Sequence, residues 1–464
     1  MDLERVIAAL APRDVVGRAP LDVADLAYDT RAVAPGALFF CVRGASADGH
    51  ELAPQAVAAG AAALVVERPV DAHVPQLVVA DSRAAMATAA DVFFDHPTHE
   101  LDVVGVTGTN GKTTTAHLVY AILAAAGRRP GLLGTIEARV GGERRPVVRT
   151  TPEAIDLQRT FREMLDAGDR SCAMEASSHA SALHRLDGVR FAVLIFTNLT
   201  PDHLDFHGTM ERYFEAKRRL FVEGDRPAAA INVGDPWGRK LAAERPDAVT
   251  FGLAEEAQIG PGAVDEIDLK LRGRFNVENA LAAAAAARLL GVDDGAVAEG
   301  LARVPGVPGR FEQVDEGQPF EVIVDYSHTP DSLENALRAA RELATARVLC
   351  VFGCGGDRDR EKRPLMGRIA SELADVPILT TDNPRSEDPL AIIDEVLAGV
   401  SGEVEVEPDR REAIARAVEA AREGDVVLIA GRGAEPAQEV AGRKLPFDDR
   451  DVAREALRRL QAVA

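Results

Sequence analysis

Cysteine is scarce in this chain: four residues, Cys41, Cys172, Cys350 and Cys354, among 464. Only Cys350 and Cys354 lie close together, and Cys350 falls within the strand-like run RVLCVF. That spacing excludes a disulfide framework or a structural zinc site and fits a reducing compartment. Long apolar runs are missing too. FAVLIF and ALAAAAAARLL are the longest candidates, well short of the ~20 residues of a membrane span. The opening MDLERVIAAL has no basic leader ahead of an apolar core, so no secretory signal, no membrane association and a cytoplasmic location are expected. Positive charge is in short supply as well. Fifty-three Lys and Arg stand against 74 Asp and Glu, a formal net charge of −21. A nucleic-acid partner would need clustered positive charge, so none is expected. An anionic ligand would have to be met by cations placed locally.

What is present is an alternation of strand-like and helical patterns in three blocks. The first, residues 1–97, carries GALFFCV, APQAVAAGAAALVVE and PQLVVAD; the segment DHPTHE then reads as a linker. A second block, 98–308, alternates LDVVGV, SCAME, FAVLIF and AAAINV with helical stretches, which suggests a mostly parallel sheet. PGVPGRFE marks another boundary. The third block, 309–464, repeats the rhythm with EVIVDY, ARVLCVFG, DVPILTTD and GDVVLIAG, as a doubly wound sheet does. The expectation is an α/β protein of three domains. At this length one hydrophobic core would not suffice.

The strand-like LDVVGV runs into VTGTNGKTTT. A phosphate loop needs a strand to deliver the chain, glycines for the tight turn, and a helix whose N-terminus faces the anion. Gly108 and Gly111 supply the turn, Thr109 and Asn110 lie between them, and TTAHLVYAILAAAG continues as a helix. Lys112 would reach the terminal phosphates and Thr113 would offer its hydroxyl to Mg²⁺. The strict spacing fails, because Val106 stands where the first glycine is usual.

Further on, CAMEASSHASALHR places Glu175 at a strand end, and TNLTPDHLDFHGTMERYFEAK holds Asp202, His203, Asp205, His207 and Lys217. Glu175 suits Mg²⁺, which prefers oxygen ligands; His203 is a less usual one. Taken alone, His203 and His207 could cap helices and Lys217 could be a solvated surface residue.

Together GTNGKTT, MEASSH, TNLTPDHLDFH, GRFNVENALAA and FGCGGDRDREKRPLMG resemble the Mur ligase family of cell-wall enzymes, and within it the branch that adds the third residue of the UDP-N-acetylmuramoyl peptide. YDTRAVAPGALFFCVRG and DGHELAPQAVAAGA extend the resemblance into the first block. The resemblance implies a UDP-substrate domain, a central P-loop ATPase-like domain and a C-terminal Rossmann-like domain. It implies that the loop, Gly108 to Thr114 with Lys112, binds ATP in the family's variant form. Lys217 is implied to be carbamylated and to hold Mg²⁺ with Glu175 and His203, one of two metal sites. Asn276 and Asn279 would lie near the adenine, Arg310 near the phosphates and Asp325 near the ribose. Thr30, Thr150, Thr151, Ser177 and Arg185 would hold UDP-MurNAc-L-Ala-D-Glu. Leu183 and Ala180 depart from the family pattern, where glutamine and glycine occur.

Asp382-Asn383-Pro384-Arg385 matches the family's signature for meso-diaminopimelate. That amino acid ends in a second carboxylate, which a guanidinium grips in bidentate fashion; the ammonium of lysine would be repelled. Arg358, Gly431 and Glu435 match the remaining amino-acid contacts, with Glu435 suited to the distal ammonium. Ala434 and Pro436 replace the histidine and aspartate of relatives with KGHED. The resemblance therefore implies an ATP-dependent ligase, and a monomer is expected. Its alternatives are the same enzyme using L-lysine or another diamino acid, a folylpolyglutamate synthetase-like enzyme, and a non-catalytic nucleotide-binding relative.

Overall fold

The structure, a computed structural model, describes residues 1–17, 19–44 and 47–463. These fall into two compact units. One comprises Met1–Thr107, Gly127–Ile195 and Ala216–Ala229; the other comprises Gly108–Ala126, Phe196–Glu215 and Ala230–Ala464.

The first unit opens with a five-stranded sheet in the order Asp14–Val16, Gln76–Val78, Ala61–Val66, Ala37–Phe40, Asp25–Ala27. All neighbours are parallel except the first pair. Successive residues of Ala37–Phe40 face opposite cores. Leu38 and Phe40 pack with Leu3, Val6 and Met86, while Ala37 and Phe39 pack with Ala53 and Ala56. Helices on both faces explain why such strands read as continuous apolar runs. The same unit holds the parallel strands Asp102–Thr107, Ser171–Glu175 and Pro130–Leu133, edged by the antiparallel Ala138–Val140 and Glu143–Arg145. The segment expected as a linker forms a 3-10 turn at Pro97–His99, with Pro97 and Thr98 buried.

The second unit carries the doubly wound sheet expected for the third block, in the order Glu312–Gln313, Glu321–Asp325, Val426–Ala430, Val348–Phe352, Val376–Leu379, Glu405–Val406. Only its first pair is antiparallel. Phe352, Leu379 and Leu428 face one core; Val351, Ile378 and Ile429 face the other. Helix Lys112–Ala125 packs against Arg274–Leu289 and Asp294–Ala302. A Cβ on Gly300 would come within 2.4 Å of Ile122 Cα, so glycine there sets how closely these helices approach. The α/β expectation holds. Among the described residues no helix is long and apolar enough to cross a membrane.

Candidate functional site

The nucleotide loop is built as its sequence suggests. Gly111 occupies the N-cap of Lys112–Ala125 at φ 84°, a conformation glycine adopts without penalty. A Cβ there would lie 2.3 Å from Asn279 Oδ1. Asn279 also accepts from Thr115 Oγ1 at 3.3 Å and donates to Asn276 Oδ1 at 3.0 Å. Both asparagines are buried and stand beside the loop. Lys112 Nζ donates to the carbonyls of Gly108 and Thr109 at 3.1 and 2.7 Å. Asn110 Nδ2 donates to Asp331 Oδ2 at 2.8 Å. Arg310 Nη2 donates to Thr113 Oγ1 at 3.2 Å, which brings another predicted pair together. The Asp325 carboxylate is turned inward, accepting from Phe311 N at 2.7 Å and from the Ser327 hydroxyl.

The four central strands of the C-terminal sheet end at Asp325, Phe352, Leu379 and Ala430, all on one edge. The loops that follow them converge on one cavity, as expected at the carboxyl edge of an open α/β sheet. Arg358, Asp382, Asn383, Arg385, Gly431 and Glu435 line it, together with Asp202 and His203. Glu435 accepts from Asn383 Nδ2 at 2.7 Å and from the Tyr326 hydroxyl at 3.3 Å. Burial, reinforced by Asp382, raises its pKa. Asp382 is 7% exposed, and its Oδ2 has no hydrogen-bond partner. Arg385 sits at φ 52°, and its Nη1 donates to the Gly356 carbonyl. Burial works against ionisation of Asp202, but His203, His328, Lys362 and Lys112 overcome it and lower its pKa.

Sequence reasoning passed over five lining residues, among them Gly355 and Asp359. Tyr326 and His328 lie in VDYSHTP, directly behind Asp325, and Lys362 lies in DRDREKRP. Burial and Lys362 lower the His328 pKa, and its Nδ1 lies 2.8 Å from the Tyr326 carbonyl. The motif positions were the available signal. Arg310 also stacks on Tyr326, 4.3 Å from the ring centroid. A chain of contacts thus runs from Thr113 through Arg310 and Tyr326 to Glu435.

In the first unit the predicted peptide-binding residues gather around Glu175. Its carboxylate accepts from Thr135 N at 2.7 Å and Thr135 Oγ1 at 3.1 Å. The latter hydroxyl lies 3.1 Å from that of Thr150. Thr151 Oγ1 donates to the Glu175 carbonyl at 2.8 Å and lies 3.2 Å from Ser177 Oγ. Arg185 pairs with Glu153 at 2.9 Å and donates to the Thr151 carbonyl. Glu153 and Thr135, which no motif singled out, hold these groups in place. Thr30 lies elsewhere in this unit, in the 3-10 turn Thr30–Ala32 capped by Asp29.

The structure bears on two of the open alternatives. His203 occupies an N-cap position at φ 55° without a side-chain capping bond. Lys217 is no surface residue, being 1% exposed. Among the described residues no three His, Cys, Asp or Glu side chains gather as a metal site. Mg²⁺ binds through one or two carboxylates plus substrate phosphates, and the buried carboxylate of Glu175 fits that habit.

The sequence matches three family profiles: "Mur ligase family, catalytic domain" over 22–98, "Mur ligase middle domain" over 106–287 and "Mur ligase, glutamate ligase domain" over 309–433. It is 49% identical to the UDP-N-acetylmuramoyl-L-alanyl-D-glutamate--2,6-diaminopimelate ligase of Geobacillus thermodenitrificans, covering 94% of this chain and 95% of that one. A solved structure of a ligase of the same name superposes with a TM-score of 0.67 at 29% identity, over 99% of both chains. The MurF ligase of Thermotoga maritima, solved with ADP, shares the fold at a TM-score of 0.62 and 22% identity, covering 95% of this chain and 99% of that one. Matched in this way along nearly all of its length, the chain belongs to the Mur ligase family.

Proposed function

We propose that the chain joins meso-2,6-diaminopimelate to the D-glutamate γ-carboxylate of UDP-N-acetylmuramoyl-L-Ala-D-Glu, with ATP as the energy source, in peptidoglycan precursor synthesis. The observation that carries this reading is the cavity at the strand ends, where Arg358 and Arg385 stand with Asp382 and Glu435. Two guanidiniums, the Lys362 ammonium and five carboxylates, Asp202, Asp205, Asp359, Asp382 and Glu435, around one small space suit a ligand with both charge signs at its far end. L-Lysine would leave a guanidinium without its carboxylate. We place the UDP-substrate domain at 1–97, the ATP-binding domain at 98–308 and the amino-acid domain at 309–464, in a cytoplasmic monomer.

The chemistry follows from the poor reactivity of a carboxylate, whose leaving group would be oxide. Its oxygen forms a bond to the γ-phosphorus of ATP as the bond to ADP breaks. The neutral amine of the amino acid then forms the C–N bond to the acyl phosphate. The C–O bond breaks, inorganic phosphate leaves with the electron pair, and the proton shed by the amine passes to that phosphate or to solvent. Lys112 and Arg310 would meet the phosphates, while Thr150, Thr151, Ser177 and Arg185 orient the peptide. Bound Mg²⁺ would neutralise charge on the transferred group, and Thr113, Glu175, His203 and carbamylated Lys217 are the residues we assign to it. Arg385 and Glu435 would hold the distal end of diaminopimelate so that its other amine reaches the acyl carbon.

The test is ATP-dependent phosphate release with UDP-MurNAc-L-Ala-D-Glu, comparing meso-diaminopimelate with L-lysine. Release with diaminopimelate alone is expected. Release with lysine would remove the specificity argument, and release with neither would remove the ligase assignment.

A further inference from the structure

We infer that Arg432, a residue outside the amino-acid cavity's lining, is a positioning residue that strengthens diaminopimelate binding by fixing which end of the Asn383 amide faces Glu435. The inference rests on the function proposed above.

Arg432 is wholly buried. Its Nη1 donates to Asn383 Oδ1 at 2.7 Å and its Nη2 to the Phe447 carbonyl at 3.0 Å. The guanidinium also lies over the Phe447 ring, 5.4 Å from the centroid. Asn383 Oδ1 accepts a second bond, from Glu439 N at 2.9 Å. Both partners of that oxygen can only donate. A flipped amide would turn its NH₂ against two donors, so the NH₂ must face Glu435 Oε2, where it donates at 2.7 Å. Arg432 and the Glu439 amide together thereby ensure that the carboxylate meets a donor rather than an oxygen.

The guanidinium is itself held. Asp449, also wholly buried, lies 3.8 Å from Arg432 Nε. Its carboxylate takes a two-pronged bond from Arg410, at 2.8 and 2.6 Å. Arg410 in turn donates to the carbonyls of Ala430 and Thr381, next to Gly431 and Asp382. The ion-pair cluster therefore anchors the two strand ends whose loops carry Asn383 and Glu435. Replacing Arg432 with an apolar side chain removes one of the two donors that forbid the flip. The Glu435 carboxylate would then face the Asn383 oxygen for part of the time and lose its aim at an incoming ammonium.

The experiment measures KM for diaminopimelate, ATP and the UDP-substrate separately in Arg432→Met, Arg432→Lys, Glu435→Gln and the Arg432→Met/Glu435→Gln double variant. Loss of an oriented charge-assisted contact predicts a rise of about 30-fold in KM for diaminopimelate in Arg432→Met, with the other two constants within about twofold. Arg432→Lys should recover most of the loss. In the Glu435→Gln background the added Arg432→Met change should raise KM by less than about threefold, because the carboxylate it aims is already gone. Equal effects in both backgrounds, or parallel losses for all three substrates, would overturn the positioning role. Should Arg432→Met fail to fold, Asn383→Asp keeps the pairing with Arg432 while setting a carboxylate against Glu435. An unchanged KM for diaminopimelate there would overturn the inference as well. Wild-type enzyme inactive with diaminopimelate would sink the functional reading instead.

Discussion

In the nucleotide loop, the groups aimed at a ligand come from six consecutive residues, Gly108 to Thr113. In the amino-acid cavity they come from loops after separate strands, and Tyr326 bonds Glu435 across 109 positions. The loop works through backbone conformation and one lysine, so its chemistry is nearly the same for any nucleoside triphosphate. The cavity is built of side chains that hold one another, and on the function proposed above the choice between similar amino acids is made there. Damage to the loop should therefore abolish turnover for every amino acid, while damage to the cavity should change which amino acid is used.

The largest effect expected is that of Lys112→Ala. Removing the ammonium that we assign to the transferred phosphoryl group should lower kcat by about 10³-fold, whatever the amino acid. Its Nζ donates to two carbonyls of its own loop and the side chain lies outside the hydrophobic cores, so the thermal midpoint should move little. Phosphate release and a melting curve on the same preparation check both halves. A variant that lost activity with diaminopimelate but not with another amino acid would break the contrast.

Next in size are Arg385→Ala and Glu435→Gln. On the function proposed above each removes one charge-assisted grip of ~1.5–3 kcal/mol, so KM for diaminopimelate should rise by about 10–100-fold with KM for ATP unchanged. Arg385→Ala should also narrow the gap between diaminopimelate and L-lysine, which competition between the two amino acids would measure.

The same contrast governs what was legible in the sequence. The loop, its strand and its helix could be read directly, because every part lies within one short string. The motif Asp382–Arg385 and the carboxylate Glu435 were found through resemblance, and the structure brings them together. Tyr326, Arg432, Glu153 and Thr135 were not found. Each acts by holding another residue distant in sequence, as Arg432 holds Asn383 and Glu153 holds Arg185. Such roles leave no local spacing pattern, since the pairing is created by folding. The burial of Lys217 was equally hidden, because its helix, Met210–Val222, is rich in charged residues and reads as a solvated face.

A subtler expectation concerns pH. Burial, with Asp382 beside it, raises the Glu435 pKa in the unliganded protein, above the ordinary value of about 4.3. A bound ammonium favours the ionised form, so binding requires proton loss whenever the pH lies below the raised value. KM for diaminopimelate should then climb as pH falls through that value, earlier than an ordinary glutamate would allow, and be flat above it. In Glu435→Gln the climb should vanish from the profile. A wild-type KM constant down to the ordinary range would mean that Glu435 does not meet the ammonium.

The smallest effect separates the two regions most finely. Tyr326 donates its hydroxyl to Glu435 and offers its ring face to Arg310, the residue bonded to Thr113 of the loop. Burial and Glu435 raise the phenol's pKa, so the hydroxyl stays a donor across the working range. Tyr326→Phe removes only that bond, which is long at 3.3 Å. A single hydrogen bond of this kind contributes about 0.5–1.5 kcal/mol, so KM for diaminopimelate should rise about 2–10-fold with KM for ATP unchanged. Tyr326→Leu removes the aromatic face as well, and a cation–π contact of about 0.5–2 kcal/mol is lost. There KM for ATP should rise too, because Arg310 is no longer held beside Thr113. If Tyr326→Phe already disturbs ATP, the hydroxyl and the stack act as one unit, and the loop and the cavity are a single coupled site rather than two independent grips.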